Sequence, residues 1–172
     1  MGTKRCDNKS VGILVWEDSK LLLIERKKYN FGFAIPAGHQ DGDTPEETAQ
    51  KELSEEVGLH TRTLKKKLTK RLHNPCSRVG GTFHDWIIFE ATNWSGEIML
   101  SSDETKSSLW ATKKEVRDMA QHLKKFASEQ NIPLEKKLLP QLVSTTNQQS
   151  SWKQNPGLEP PMYFLFKEIG IV

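Results

Sequence analysis

The sequence has little cysteine and no long apolar run, and both shortages exclude classes of protein. Its two cysteines, Cys6 and Cys76, are far apart and form no CxxC pair, so a disulfide-stapled scaffold is excluded and ordinary reduced thiols are expected. His73 lies near Cys76, but two candidate ligands do not make a zinc site. No stretch approaches the roughly 20 apolar residues of a membrane helix, so a membrane is not expected as a partner.

The N-terminus lacks the features of a targeting segment. No apolar run follows Lys4 and Arg5, which argues against a signal peptide. Cys6 occupies the position at which a myristoylation motif needs Ser or Thr. The expected compartment is therefore the cytoplasm.

The net charge of +3 is too small to indicate a nucleic-acid binder by itself, so nucleic acid is not expected as a partner. The 172 residues, of which 35% are apolar and 27% charged, fit one soluble domain of ordinary size. We expect a single domain over residues 1–172, with residues 1–9 loose. Residues 144–161 are rich in Ser, Thr, Asn, Gln and Pro and are expected to form a long surface loop.

The predicted elements run in the order strands, helix, strands, helix, which indicates one mixed α/β domain. Strands are predicted at residues 11–16, 20–25, 62–73, 82–92, 98–100 and 108–111. Helices are predicted at residues 45–57, 113–129 and 162–169.

The helix at 45–57 has the strongest local signals. Thr44 can act as N-cap, Pro45 suits the first helical position, and Glu47 completes a capping box. Gly58 is a natural C-terminal stop.

Three carboxylates lie close together on this helix. Glu52 and Glu56 are four residues apart and share one face, and Glu55 lies at its edge. Like charges at this spacing repel one another, and a divalent cation would reverse that repulsion. Carboxylate oxygens are ligands that Mg²⁺ and Mn²⁺ prefer, whereas a solvated acidic face is the alternative for such a helix taken alone.

Residues 38–59 resemble the box of the Nudix hydrolase family, G-x5-E-x7-R-E-U-x-E-E-x-G-U, in which U is a bulky aliphatic residue. The matching positions are Gly38, Glu52, Leu53, Glu55, Glu56, Gly58 and Leu59. The loop after Gly38 is one residue shorter than in the box, with Asp43 where Glu is expected. Lys51 holds the Arg position and can supply its charge but not its two-pronged geometry.

The resemblance implies an α/β (α+β) fold, a Nudix-type α/β/α sandwich with a mixed β-sheet. It implies Mg²⁺- or Mn²⁺-dependent hydrolysis of the pyrophosphate linkage in a small molecule, a nucleoside diphosphate joined to another group. Family members are often dimers, so a homodimer is a further expectation. The box does not specify the base, the sugar or the leaving group.

The resemblance also implies roles for the residues of the box. Glu52 and Glu56 would be the main metal ligands, and Glu55 an extra ligand or the group that polarises water. The backbone carbonyl of Gly38, or of Ala37 beside it, would be a further ligand. Lys51 would occupy the position that orients a metal-binding glutamate.

Residues outside the box complete the predicted site. Glu104, six residues before Trp110, is similar in placement to a further carboxylate that relatives use as ligand or general base. Asp103 is the alternative, and a plain surface charge is the other interpretation of Glu104. His39 could donate to a phosphate oxygen or simply form part of the loop.

Aromatic side chains just before the box are candidates for stacking on a base. Tyr29 and Phe31 are the candidate substrate contacts, with Phe33 close by, and core packing is the alternative for at least one of the three.

The sequence leaves two other function classes open. One is a Nudix-fold binding or regulatory module with weakened catalysis, which Lys51 and the short loop would favour. The other is an RNA-binding protein, which rests only on the basic run at residues 65–71. We expect that run to be a solvated strand edge instead.

Overall fold

The computed structural model describes residues 4–172, which form a mixed β-sheet with helices packed against it. The strands are β1 (Lys9–Glu17), β2 (Lys20–Arg26), β3 (Phe33–Ala34), β4 (Ala37–His39), β5 (Leu59–His60), β6 (Thr63–Leu72), β7 (His84–Thr92), β8 (Ser95–Gly96) and β9 (Thr105–Ala111). The helices are α1 (Pro45–Val57), α2 (Lys113–Glu129), α3 (Leu139–Gln148), α4 (Ser150–Gln154) and α5 (Pro160–Ile169).

The sheet is mixed because β1 has neighbours of both directions. It runs parallel to β7 and antiparallel to β4, and its end pairs antiparallel with the start of β2. Strand β6 pairs antiparallel with β7 at one edge, and β3 and β9 pair antiparallel with β2. The predicted mixed α/β class is therefore confirmed.

Alternate residues of β1 and β2 enter two separate hydrophobic clusters, as expected for strands that are covered on both faces. Ile13 and Leu22 pack in the cluster that contains the apolar face of α1. Leu14 and Leu21 pack in the cluster that contains side chains of α2, α3 and α5. The helices thus lie in two layers, one on each side of the sheet.

Most of the predicted elements are confirmed. The turn between β1 and β2 places Asp18 and Ser19 at φ 47° and 64°, values that suit a tight hairpin. Helix α1 has the bounds predicted, with both halves of the Thr44–Glu47 capping box formed and Gly58 in the left-handed conformation at φ 75°. The basic run lies on the exposed edge strand β6, as expected.

The predicted strand at residues 98–100 is wrong. The Met99 N–H donates to the carbonyl of Val57 at 2.8 Å, so this segment is hydrogen-bonded to the end of α1 and does not join a sheet. Its side chains are also exposed, Met99 by 73%.

The predicted surface loop at residues 144–161 is also wrong. Helices α3 and α4 and the start of α5 occupy most of it, and Thr146, Trp152 and Leu158 are buried. A few apolar residues at helical spacing outweigh the polar composition that suggested a loop, because their burial stabilises the helices.

The prediction of a loose N-terminal segment falls partly on residues 1–3, which lie outside the described residues. For residues 5–9 it is wrong: Cys6 is buried, its N–H donates to the carbonyl of Val79 at 2.8 Å, and β1 begins at Lys9. Among residues 4–172, no helix is both long and apolar enough to cross a membrane.

Candidate active site

Helix α1 directs two of its glutamates toward the sheet. Glu56 is buried and Glu52 is half-buried, whereas Glu55 lies on the exposed side. The Glu56 carboxylate accepts a hydrogen bond from the backbone N–H of Ala37 at 2.8 Å, which ties α1 to β4. The four-residue spacing therefore brings Glu52 and Glu56 to one face, as predicted.

The Glu52 carboxylate packs directly against Gly38. A Cβ atom at position 38 would lie 2.1 Å from the carboxyl carbon of Glu52. A side chain there would displace the carboxylate. The first glycine of the box thus makes room for Glu52, the first of the three clustered carboxylates on the helix.

A largely buried arginine that sequence reasoning missed joins two buried carboxylates. Arg26, at the end of β2, lies with Nη1 3.3 Å from Oε1 of Glu56 and with Nε 3.0 Å from Oε2 of Glu159. Its side chain is 16% exposed, and those of both glutamates are 2% exposed. No local sequence signal marked the burial of Arg26, because it follows another charged residue, Glu25, at the end of the strand.

Lys51, which the box places at the orienting position, is paired with Asp43 and not with a glutamate of α1 in this structure. Its side chain is 58% exposed, and its Nζ lies 3.6 Å from the Asp43 carboxylate. Arg26 contacts Glu56 instead, and its guanidinium has the two-pronged geometry that Lys51 lacks. Asp43, which stands at a Glu position of the box, pairs with Lys51, and both residues line a cavity that also contains Glu52 and Glu56.

The carboxylates around Arg26 carry more negative charge than its single positive charge neutralises. Burial, together with the charges of Glu56, Glu104 and Glu55, raises the pKa of Glu52 to about 7. Burial also raises the pKa of Glu56, against the opposing effect of Arg26. Burial raises the pKa of Glu159 to about 7, although Arg26 opposes it. Such a cluster favours a bound cation.

Glu104 reaches the same cavity through contacts with α1 and β2. The N–H of Ser101 donates to the Glu56 carbonyl at 3.0 Å, and the carbonyl of Glu104 accepts from the Lys27 N–H at 2.9 Å. Glu104 lines the cavity, whereas Asp103 is outside its lining. Of the two alternatives, the structure therefore brings Glu104 to the box glutamates.

The cavity has a volume of about 500 Å³ and contains most of the predicted site. Its lining includes Tyr29, Gly38, His39, Lys51, Glu52, Glu55, Glu56 and Glu104, along with Arg26 and Glu159. Phe31 is the exception and corrects the prediction: it packs beside the core, with the Lys153 ammonium 4.8 Å from its ring centroid.

His39 lines the cavity but already has a partner. Its Nε2 lies 3.2 Å from Nε2 of His84, and the two rings meet edge to face. Burial and the charges of Arg78 and His84 lower the pKa of His39 to about 4. The imidazole is therefore neutral at pH 7.

Comparisons with known proteins give a family and a fold for this chain. A family model described as "NUDIX domain" matches residues 7–131. No curated protein matches the sequence.

Several solved structures share the fold. The MutT NUDIX hydrolase from Burkholderia pseudomallei is 21% identical with a TM-score of 0.54, over 62% of this chain and 84% of that one. The mutator MutT protein from Bacillus halodurans is 24% identical with a TM-score of 0.52, over 64% of this chain and 71% of that one. The E. coli ORF135 protein is 17% identical with a TM-score of 0.51, over 67% and 79%.

Proposed function

This chain belongs to the Nudix family, and from that premise we propose that it is a hydrolase that uses Mg²⁺ or Mn²⁺. Its proposed reaction is cleavage of the pyrophosphate linkage of a nucleoside diphosphate joined to another group. The observation that carries this proposal is the convergence of Glu52, Glu56 and Glu104 on one cavity. A pyrophosphate is itself anionic, so a site this acidic can accept one only together with a cation.

The donor set fits a hard divalent cation. We propose that Glu52 and Glu56 hold the ion, with Glu55 as an extra ligand or as the group that polarises water and the Gly38 carbonyl as a further oxygen donor. The bound cation would neutralise pyrophosphate oxygens and lower the pKa of a water molecule. Arg26 orients Glu56 through their ion pair and favours its charged form.

Glu104 is the proposed general base. It lies on a segment that is hydrogen-bonded to the end of α1, and its charge acts on both Glu52 and Glu56. It would accept a proton from the water that attacks phosphorus. Glu55, which is exposed to the same cavity, is the second candidate for this role.

Tyr29 is the proposed contact for the base of the substrate. It is half-buried at the cavity wall, where a ring can stack on a nucleobase. Tyr29→Ala should raise KM severalfold in steady-state kinetics. Phe31→Ala should not, because Phe31 is outside the cavity; equal effects would remove Tyr29 from the proposal.

The alternative of a binding module with weakened catalysis loses its main support. Lys51 suggested a missing orienting arginine, and Arg26 supplies that contact from β2.

We further propose one domain over residues 1–172, since α3 and α5 share a hydrophobic cluster with β1 and β2. Location in the cytoplasm and a homodimer stay predictions.

The decisive experiment is a hydrolysis screen with Mg²⁺ or Mn²⁺ over nucleotide sugars, dinucleoside polyphosphates, ADP-ribose, NADH, capped RNA and oxidised nucleotides. Glu52→Gln and Glu56→Gln should each reduce turnover at least about a hundredfold, as expected when a group that binds the catalytic metal is lost. Glu46→Gln, at an exposed position of the same helix, is the matched control. Tight nucleotide binding without turnover by all of these proteins would favour the binding module instead.

A further inference from the structure

A cluster of two cysteines and two histidines lies beside the carboxylate site and has no part in the proposed hydrolysis. One ligand atom each from Cys6, His39, Cys76 and His84 all lie within 4.8 Å of one another. They come from four places in the chain: the segment before β1, the end of β4, the loop between β6 and β7, and the start of β7. From the sequence, His73 was the candidate ligand beside Cys76, and His73 is not in the cluster.

Three of the six distances between the ligand atoms are close to the edges of a tetrahedron, and all six are within 4.8 Å. The Cys6 and Cys76 Sγ atoms are 3.7 Å apart, the two Nε2 atoms of His39 and His84 are 3.2 Å apart, and Cys6 Sγ is 3.3 Å from His84 Nε2. Zinc bonds of about 2.3 Å to sulfur and about 2.0 Å to nitrogen give tetrahedral edges of about 3.8 Å, 3.3 Å and 3.5 Å in the same order. A disulfide, in contrast, needs the two sulfur atoms at about 2.05 Å.

The orientation of His84 is fixed by a contact outside the cluster. Its Nδ1 lies 2.9 Å from the backbone carbonyl of Asn74, and a carbonyl can only accept, so Nδ1 carries the proton. The lone pair of neutral His84 is then on Nε2, which faces Cys6 and His39. A carbonyl that holds the far nitrogen is the usual support of a metal-binding histidine.

The sulfur atoms are also held by their surroundings. The backbone N–H of Asn8 lies 3.3 Å from Cys6 Sγ, a contact that stabilises a thiolate. Gly81 leaves space for the other sulfur, since a Cβ there would lie 2.2 Å from Cys76 Sγ. The Cys76 N–H donates to the Gly81 carbonyl at 2.9 Å, which closes the loop around the thiol.

We propose that Cys6, His39, Cys76 and His84 form a tetrahedral Zn²⁺ site. Four protein ligands leave no open position, so the ion is structural rather than catalytic. It fastens the N-terminal segment and the β6–β7 loop to β4, where His39 directly follows Gly38. Sulfur and imidazole donors select zinc here, whereas the oxygen donors of α1 select the harder ion.

The test is the metal content of the full-length protein purified without chelators, measured by mass spectrometry of the elements. About one zinc per chain is expected in the wild type, as in other Cys₂His₂ sites, and it should be lost in Cys6→Ser/Cys76→Ser. Two controls should keep it: His73→Ala, whose imidazole lies outside the cluster, and Glu56→Gln, which alters only the other site. Zinc that persists in the double serine variant would overturn the proposal.

Replacement of zinc by cobalt in the wild type gives a readout that does not depend on a variant's folding. Thiolate-to-cobalt charge transfer together with the strong visible bands of a tetrahedral ion is the expected spectrum. An octahedral spectrum without charge transfer would contradict the site. A protein that binds no metal, or that carries a Cys6–Cys76 disulfide after reducing purification, would contradict it equally.

Discussion

Arg26 links three elements through its charge. It joins the end of β2 to Glu56 on α1 and to Glu159, which directly precedes α5. Both carboxylates are almost fully buried, so each depends on this guanidinium for compensation. The pair with Glu159 spans 133 positions in the chain, which is why no local motif predicted it.

Arg26→Met should lower the free energy of unfolding by about 3–5 kcal/mol at pH 7, because two buried carboxylates would lose their cation. Chemical denaturation measures this change. Lys51→Met is the matched control, and a loss below about 1 kcal/mol is expected for its exposed pair with Asp43. If Lys51→Met proves as damaging as Arg26→Met, the assignment of the orienting role to Arg26 is wrong.

The raised pKa of Glu52 predicts a stability that depends on pH and on metal. The folded-state pKa of about 7 is above the ordinary 4.5, so the fold favours the protonated carboxyl. The metal-free protein should therefore lose stability as pH rises from about 4.5 to about 7. Mg²⁺ should restore it above that range, where the carboxylate is ionised.

Thermal unfolding with Mg²⁺ or with EDTA tests this dependence. Mg²⁺ should raise the Tm of the wild type at about pH 8 much more than at about pH 5.5, since protons compete with the ion for Glu52. In Glu52→Gln the pH-dependent part of the Mg²⁺ effect should shrink, and the remainder is expected from Glu56, whose pKa is also raised. A Mg²⁺ effect of equal size at both pH values in the wild type would be inconsistent with Glu52 as a ligand.

The elements were predictable where local chemistry fixes them. The cap of α1, its glycine stop and its carboxylate spacing are encoded within 15 residues, and both bounds were predicted. The segment at residues 98–100 was not, because its backbone partner is Val57 rather than another strand. The box thus predicted the carboxylates of α1 that face the cavity. Arg26, Glu159 and the cluster of two cysteines and two histidines could be recognised only from the tertiary structure.

Gly58 is the point at which α1 ends and the segment leading to Glu104 attaches. Gly58→Ala should destabilise the protein by more than about 2 kcal/mol, since its φ of 75° disfavours a side chain and the new Cβ would lie 2.9 Å from the carbonyl oxygen of Glu97. Gly42→Ala isolates the backbone effect, because Gly42 also has positive φ but has no atom within 4 Å of its would-be Cβ. Urea unfolding should show a smaller loss for Gly42→Ala; equal losses would mean that the crowding at Gly58 is unimportant.

At the scale of the whole molecule, the C-terminal helices complete both the core and the site. The family model ends at residue 131, yet Leu142, Trp152 and Phe166 beyond it are buried in the same cluster as β1 and β2. The backbone at 157–159 pairs with Phe33 of β3, which brings Glu159 to Arg26. Sequence composition concealed the part of this contribution that comes from residues 144–161, because that segment is polar except at the few positions that face the core.

A chain truncated after residue 131 should therefore fail to fold cooperatively. Each fully buried Leu or Phe contributes about 1.5–3 kcal/mol, so losing several from this region would exceed the roughly 5–15 kcal/mol that stabilises an ordinary domain. Circular dichroism during thermal unfolding should show no cooperative transition for residues 1–131. Glu159→Gln in the full-length chain keeps the hydrophobic core and weakens only the contact with Arg26. It therefore tests the contribution of the C-terminal helices to the site separately from their contribution to the core. If residues 1–131 unfolded cooperatively and hydrolysed substrate at the full-length rate, the C-terminal helices would be an appendage and the Arg26–Glu159 pair would have no part in the site.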